Sequence, residues 1–546
     1  MKDPTTRRRI TRRHVLQGGL GVGALAALGL AGCSNEGRGG AMATSGGPGE
    51  LPAYIPFDGV PADLTGSDGV SDTMLAYPED PVTVTDRPPG DGRDVGVFAL
   101  THTPVPPALG RNAYWQALHE RLGFGLDIAL VPSGDFADRF QTAVAGDQLP
   151  DLVTVFPESV PGLPGLLAER ATDLTDLLAG DAVEQFPFLA NIPSESWQAT
   201  MYGGRIFGVP VPRGAQTSEV LFFRADMLEA EGLAPELGSA EDLHTLCTEL
   251  TSPAASRWAL GHVPMPFIRQ MFGIPNGWAE DGGSLTSANE HERQEEALEL
   301  GRRLVADGLV HPDALSANIT QRKTWVVNGT TPLRPDTFSA WSAFSEYPIG
   351  EDFRLDVLAP PLADGGGQAA IWRGSPTHNI TVISARSADR AEPLLEVLNH
   401  LAAPFGSSEH LFKTYGVEGV HHELQGTDPV LTERGRSEIQ LSLRYLAEGP
   451  WVNYLAGEPD VARAQHDAQS DLVPAAVPDP TEGLYSETAS RRGNQIGTAL
   501  ADLETDILQG REPVSAWAEA VATWTSEGGD DIRAELEEAL AAAEDR

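Results

Sequence analysis

Val95-Gly96-Val97-Phe98-Ala99-Leu100, Leu126-Asp127-Ile128-Ala129-Leu130-Val131 and Pro150-Asp151-Leu152-Val153-Thr154-Val155-Phe156 are apolar runs of strand length. Between the first two, Tyr114–Leu122 places Trp115, Leu118 and Leu122 on one helical face. Between the second and third, Phe136, Phe140 and Val144 recur at helical spacing, with Asp135 in front as an N-cap. Strands separated by helices imply βαβ units and a mostly parallel sheet, hence an α/β fold. Further helices are expected near Ser239–Leu250, Arg293–Asp307 and Pro393–Ala402, with Ser239 as a cap and Asp242 in a capping-box-like position. From about Arg436 the pattern is mainly helical, giving a helical C-terminal third, and no internal repeat is visible.

A chain of 546 residues exceeds the size at which one core keeps growing, so two domains or lobes are expected. Its net charge of −40 repels phosphate backbones, which argues against a nucleic-acid partner and says little about a small ligand in a local pocket. The acidity also fits a simple adaptation of the exposed surface for solubility.

The N-terminus is basic through Lys2, Arg7, Arg8, Arg9, Arg12 and Arg13, and an apolar Gly/Ala-rich run follows over Gly18–Gly32. That run is shorter than the ~20 residues a spanning helix needs, so it reads as a secretory signal. Thr11-Arg12-Arg13-His14-Val15-Leu16-Gln17 resembles a twin-arginine export signal. Leu30-Ala31-Gly32-Cys33 resembles the bacterial lipobox, whose cysteine is lipidated and becomes the mature N-terminus. Localisation at the outer face of the cell membrane, held by a lipid on Cys33, follows from that reading. The other of the two cysteines, Cys247, lies among Leu243, Leu246 and Leu250 and reads as a small buried apolar residue. Ser34–Gly49 is a Gly/Ser/Ala-rich tether, and 50–92 reads as an ordered but irregular segment laid over the core.

The order of segments resembles a known family. Gly146-Asp147-Gln148-Leu149-Pro150-Asp151-Leu152-Val153 looks like the GDxPDLV step of family 1 extracellular solute-binding proteins. Ile206-Phe207-Gly208-Val209-Pro210 and Leu221-Phe222-Phe223-Arg224-Ala225-Asp226-Met227-Leu228 are similar to two further segments of that family. Tyr415-Gly416-Val417-Glu418-Gly419-Val420-His421 resembles the YGIEGxxY hallmark of its large sugar-binding subclass, related to alginate-oligosaccharide receptors, with histidine replacing the usual aromatic. The resemblance implies a periplasmic-binding-protein-like fold of two α/β lobes with a hinge and an interlobe cleft. It divides the chain into a signal peptide at 1–33, a tether at 34–49, the irregular segment at 50–92, one lobe at 93–212 plus 375–436, and a second at 213–374 plus 437–546. Crossings are implied near Pro210–Gln216, Arg373–Thr377 and Arg436–Arg444. The implied role is a monomeric, non-enzymatic capture subunit that delivers a sugar, as an oligosaccharide, to ABC permease subunits.

A sugar receptor needs flat apolar faces for pyranose rings and fixed polar groups for hydroxyls. Trp115, Trp278, Trp372 and Trp451, among ten tryptophans, adjoin loops or turns placed to open on a cleft. Each is equally able to be a core residue, Trp115 most of all. Arg213, Arg334 and Arg373 lie on or near crossings or between prolines, where an arginine can clamp a carboxylate or form a structural ion pair. The subclass's calcium loop has its nearest counterpart in Asn276-Gly277-Trp278-Ala279-Glu280-Asp281-Gly282-Gly283, which lacks alternating oxygen ligands, so neither metal nor cofactor is expected. No G-x-S-x-G, H-E-x-x-H or phosphate-binding loop occurs. His421 and His422 sit between Gly416, Gly419 and a following segment, where a turn is favoured over a metal site. A polysaccharide-degrading enzyme using paired carboxylates, or a sensor lipoprotein that keeps the fold without transport, are the competing readings.

Overall fold

In the computed structural model, which describes residues 49–544 apart from positions 86, 345, 346, 348 and 351, the three apolar runs form strands β1 (Val95–Thr101), β2 (Leu126–Pro132) and β3 (Leu152–Val155). The signal, Cys33 and nearly all of the tether lie outside the described residues. Helices Ala113–Leu122 and Phe136–Ala145 are the crossovers, and β1 pairs in parallel with both β2 and β3. After β4 (Val209–Pro212) the chain builds a second sheet from β5 (Glu219–Arg224), β6 (Leu333–Thr337) and β7 (Leu355–Leu358), then returns as β8 (Thr377–Ile383). The first sheet has the order β2-β1-β3-β8-β4 and the second β6-β5-β7.

In the first sheet β8 alone runs opposite to the other strands, pairing antiparallel with both β3 and β4. The parallel expectation therefore holds for the rest of this sheet. It does not extend to the second sheet, where β6 and β7 both run antiparallel to β5. Each returns to the sheet at the end where β5 finishes, and so re-enters in the opposite direction.

The uninterrupted apolar reading of β1 has a packing reason. Val95, Val97 and Ala99 face a core shared with Trp115, Leu118, Leu122 and the helix Ala391–Leu401, while Phe98 and Leu100 face a second core with Phe136, Phe140 and Phe207. A strand covered on both faces has no polar side to alternate with. β5 repeats the arrangement in the other lobe. Leu221 and Phe223 join Cys247, Trp517 and Trp524, whereas Val220 and Phe222 join Phe338, Trp341 and Leu472. Cys247 is fully buried, and burial pushes its thiol up to about 12. The helices Asn494–Leu508, Ala516–Trp524 and Asp530–Glu544 make the C-terminal part helical and cover this second lobe. Leu441, Leu443, Leu446 and Ala447 pack in the first-lobe core.

Ser239 caps its helix, accepting from the Asp242 amide at 3.4 Å, and the Asp242 carboxylate reaches back to the Gly238 amide at 3.0 Å, one residue ahead of a regular capping box. Asp135 occupies the cap position of its helix but makes no capping bond, because the 3₁₀ turn Ser133–Asp135 holds its backbone in a helical conformation. The family-like segments turn out to be joints. The Asp151 carboxylate accepts from the Gly96 amide at 2.8 Å and the Ser387 hydroxyl at 2.6 Å, tying β1 and β3 to the segment after β8. A Cβ at Gly96 would stand 3.0 Å from the Pro150 side chain, a tight fit. Arg224 pairs with Asp226 at 2.6 Å and donates to the Val326 carbonyl at 2.8 Å. Gly416, at φ 73°, ends the helix Ser408–Tyr415. Beyond it, the buried His421 accepts from the Val417 amide at 3.0 Å, and its other nitrogen stands 3.2 Å from Glu438.

The segment from Leu51 touches both lobes. Leu51, Ala53, Ile55 and Phe57 pack on the first-lobe core, and Val70 packs on the second. Asp72 and Thr73 then pair with Val452 and Asn453, and Tyr77 meets His410 at 3.2 Å back on the first lobe. Where this segment passes the helix Pro459–Leu472, buried amides form a network. Gln216 donates to Asn453 at 3.0 Å and accepts from Gln465 at 3.1 Å. Asn453 and Gln469 exchange two bonds, at 3.2 and 3.3 Å, and Asn453 also donates to the Thr73 hydroxyl at 3.2 Å.

Candidate functional site

In open α/β sheets, ligands bind beyond the carboxyl ends of the parallel strands. Here β1, β3 and β4 end on one edge of the first sheet, and antiparallel β8 begins there. The next residues along are His102, Phe156 and Arg213, with His378 at the second position of β8. The segment Leu443–Trp451 supplies Arg444, Tyr445 and Trp451 to the same edge, because its Tyr445 carbonyl accepts from Asn379 of β8 at 2.9 Å.

These side chains form one cluster. The His378 ring lies 5.1 Å from Tyr445, 6.1 Å from His102 and 5.5 Å from Phe156. The Arg213 guanidinium carbon is 5.7 Å from the Tyr445 ring and 5.8 Å from Trp451, and that of Arg444 is 5.6 and 5.4 Å from the same two rings. Arg213 is only 4% exposed and donates from Nη1 to the Pro212 carbonyl at 2.9 Å. Among the described residues its Nη2 has no partner, nor has the buried indole nitrogen of Trp451.

The electrostatics follow from two cations sharing a low-dielectric edge. Burial and then Arg444 lower the Arg213 pKa to about 10, which leaves it charged at neutral pH. Burial, and then Arg213, lower His378 to about 4. Burial, Arg444 and Arg213 likewise lower His102. Both imidazoles are thereby kept neutral at pH 7, so the positive charge of this edge belongs to the guanidiniums. Chemically the edge offers aromatic faces, unpaired buried donors and fixed positive charge.

Of the residues singled out in the sequence, the structure brings Arg213 and Trp451 together here. Trp115 belongs to the first-lobe core, 9% exposed, with its indole donating to the Leu126 carbonyl at 2.9 Å. Trp278 opens a hairpin of the second lobe and packs against Trp524, with ring centres 6.3 Å apart. Trp372 donates to the Ile274 carbonyl at 2.9 Å and lies against the second-lobe core. Arg334, on β6, is buried and paired with Asp336 at 2.5 Å. Close by, burial and then Asp336 raise Glu219 to about 7, with Arg334 opposing. Arg373 pairs with Glu195 at 2.5 Å, joining the return crossing to a helix of the first lobe. Partial burial, and beyond it Asp479, Glu158 and Glu195, raise the pKa of Glu482 against the bond from Ser375, so the surroundings of Arg373 are acidic. Asn276, in the calcium-loop counterpart, holds the Arg373 carbonyl at 2.8 Å and so has a structural task.

Sequence reading missed His102, His378, Arg444 and Tyr445. One signal for His102 was available: it follows β1 directly, at the end where this class of sheet binds ligands. No local signal marks the others, which meet His102 only through the return of β8 and the segment after it.

A family model described as bacterial extracellular solute-binding protein matches residues 120–404. A polygalacturonan/rhamnogalacturonan-binding protein of Bacillus subtilis strain 168 is 21% identical over 433 residues, covering 76% of this chain and 85% of its own length. The lipoprotein LipO of the same organism is 21% identical over 477 residues, covering 82% and 92%. Among solved structures, an alginate-binding protein without calcium ion covers 86% of this chain and all of its own at a TM-score of 0.59, with 14% identity.

Proposed function

This chain belongs to the bacterial extracellular solute-binding protein family, and from that premise we propose that it is the substrate-capture subunit of an ABC importer, binding an oligosaccharide between its lobes. The observation that carries the reading is the cluster of Arg213, Arg444, Tyr445 and Trp451 at the carboxyl edge of the first sheet, where aromatic faces and unpaired donors suit a sugar. The saccharide-binding names of two of the relatives support it. The lipobox-like Leu30–Cys33 and the lipoprotein relative support a lipid on Cys33, which would keep the receptor at a raised concentration near its permease. Among the described residues no helix is long and apolar enough to cross a membrane. We take the first lobe to extend through Ala447, since Leu441–Ala447 pack in its core, and the lobes to close by hinge motion. Trp278, Arg334, Trp372 and Arg373 then belong to the second lobe or its return crossing. The protein releases its sugar intact and acts as a monomer.

A calorimetric and thermal-shift screen of the full-length protein in detergent against neutral and acidic oligosaccharides tests this. A saccharide at about one hundred times its Kd adds roughly 2.7 kcal/mol of stability and a resolvable rise in Tm. The bound sugar, recovered and weighed by mass spectrometry, should be unchanged. A screen with no response removes the sugar assignment, and a shortened sugar replaces the receptor with an enzyme.

A further inference from the structure

The segment 479–490 is rooted in the second lobe, yet its middle and its last residue rest on the first. Just ahead of it, Val477 donates to the Ile371 carbonyl at 2.9 Å and accepts from the Arg373 amide at 2.8 Å. Further on, Glu535 of the helix Asp530–Glu544 accepts from the Ser486 hydroxyl at 2.5 Å and the Thr488 amide at 2.9 Å, and Leu484 and Ala489 pack on the second-lobe core. Tyr485 instead packs with Phe98 and Phe136 in the first lobe, its ring 6.4 Å from that of Tyr202. Gly483, at φ 77°, passes so near the first lobe that a Cβ there would stand 3.1 Å from the Gln198 Cβ. Ser490 accepts from the Gly162 amide at 2.9 Å and donates to the Val160 carbonyl at 3.3 Å. None of these contacts is a chain crossing, so hinge motion that parts the lobes on this side has to break them.

Carboxylates from both lobes meet at the same place. Glu158, in the turn Pro157–Ser159 after β3, and Glu195, in the helix Ser194–Trp197, come from the first lobe, and Asp479 and Glu482 come from the segment itself. The cations around them are spent: Arg373 of the return crossing pairs with Glu195 at 2.5 Å, and Arg491 with Glu487 at 2.5 Å. Partial burial raises the pKa of Glu158, and that of Asp479 against its bonds from Thr481. For Glu482, burial comes first and the charges of Asp479, Glu158 and Glu195 add to it, against the Ser375 hydroxyl that donates to it at 2.9 Å. Separation of the lobes relieves both burial and repulsion, so these groups bind protons more tightly when the lobes touch than when they part.

We propose that the segment 479–490 is a latch between the lobes, closed by Gly483, Tyr485 and Ser490 and opposed by the carboxylates that face one another across it, so that acid favours the latched form and neutral pH lets the lobes part. The inference goes beyond the receptor reading and concerns the protein without its ligand, so it stands or falls independently of what the ligand is.

Full-length protein in detergent, with nitroxide labels on Glu120→Cys and Glu295→Cys, gives an interlobe distance distribution by double electron–electron resonance. Both positions are exposed, on the helices Ala113–Leu122 of the first lobe and Gln294–Ala306 of the second, and Cys247 is buried. A control without the two new cysteines accounts for Cys33. The ratio of parted to latched protein should fall about threefold or more from about pH 7.5 to about pH 5. Glu158→Gln with Glu482→Gln, both on exposed side chains that the fold does not need, should shift the distribution at the higher pH towards the one seen at the lower. Tyr485→Ala with Ser490→Ala should raise the parted share at both pH values. A distribution that does not respond to pH overturns the inference, as does a pH response that the two glutamines leave unchanged, or a folded alanine variant with an unaltered distribution.

Discussion

Arg213 and Gln216 lie within one turn of chain, in the link from β4 to β5, yet they belong to opposite kinds of buried polarity. Gln216, Asn453, Gln465 and Gln469 are neutral, and they spend their amides on one another, on Thr73, on the Ser71 amide and on the Phe338 carbonyl. The Arg213 cluster is cationic and keeps two donors open. A closed network fastens segments that are far apart in sequence, here the N-terminal segment, the link and the helix Pro459–Leu472. An open one stores an unmet demand that only a partner from outside can answer. Closed polarity should therefore be needed for stability, and open polarity for binding.

The largest effect expected from this contrast is on Asn453. Asn453→Leu leaves the amide nitrogens of Gln216 and Gln469 without the oxygen they donate to, while Thr73 keeps His466, and each stranded buried group costs about 1–3 kcal/mol, so a loss of roughly 2 kcal/mol or more should appear as a lower urea midpoint. An unchanged midpoint would mean that the network holds nothing. Arg213→Met should move the other way, leaving stability level or about 1 kcal/mol higher while abolishing the response to an oligosaccharide. A loss above about 2 kcal/mol would make Arg213 a structural residue and erase the contrast.

Acid sharpens it further. The folded pKa of His378 is lowered to about 4, by burial first and then by Arg213, with His102 and Arg444 adding to it and Asn379 opposing. An unfolded imidazole titrates near ~6.5. Between those values the unfolded chain takes up a proton that the folded one refuses, so the contribution is complete above about pH 6.5 and is lost as the pH falls towards 4. His262, His400 and His410 are lowered in the same direction. His378→Asn should flatten part of the decline in unfolding free energy between pH 6.5 and 4, and superimposable profiles for the two proteins would contradict the assignment. The smallest effect belongs to the half-exposed pair Arg373–Glu195, where Glu195→Gln should cost less than about 1 kcal/mol in the same urea titration.

Much of the fold was legible because its determinants are local. β1, β2 and β3 are continuous apolar runs, and Ser239 announces its helix by a cap. The family-like segments are also local, but Asp151, Arg224 and Gly416 carry joints of the fold and not the cluster. The direction of β6 and β7 depends on where long excursions end, which periodicity does not encode. The candidate site was legible only at Arg213 and Trp451. Arg334 and Arg373 looked equally available until Asp336 and Glu195 were found on them, the first two residues away and the second in another lobe. His102, His378, Arg444 and Tyr445 come from separate segments, so no spacing rule links them.

The position of β8 bears on how the molecule is made. It fills the gap between β3 and β4, which leave the ribosome long before it does, so the first sheet has no continuous hydrogen-bond ladder until Ile383 has emerged. Pairings of such high contact order fold slowly, and meanwhile β3 and β4 each present an unpaired edge able to recruit a strand from another chain. Any nascent product cut short within the second lobe would keep those edges open for good. Protection during synthesis thus matters more for the half of the protein made first.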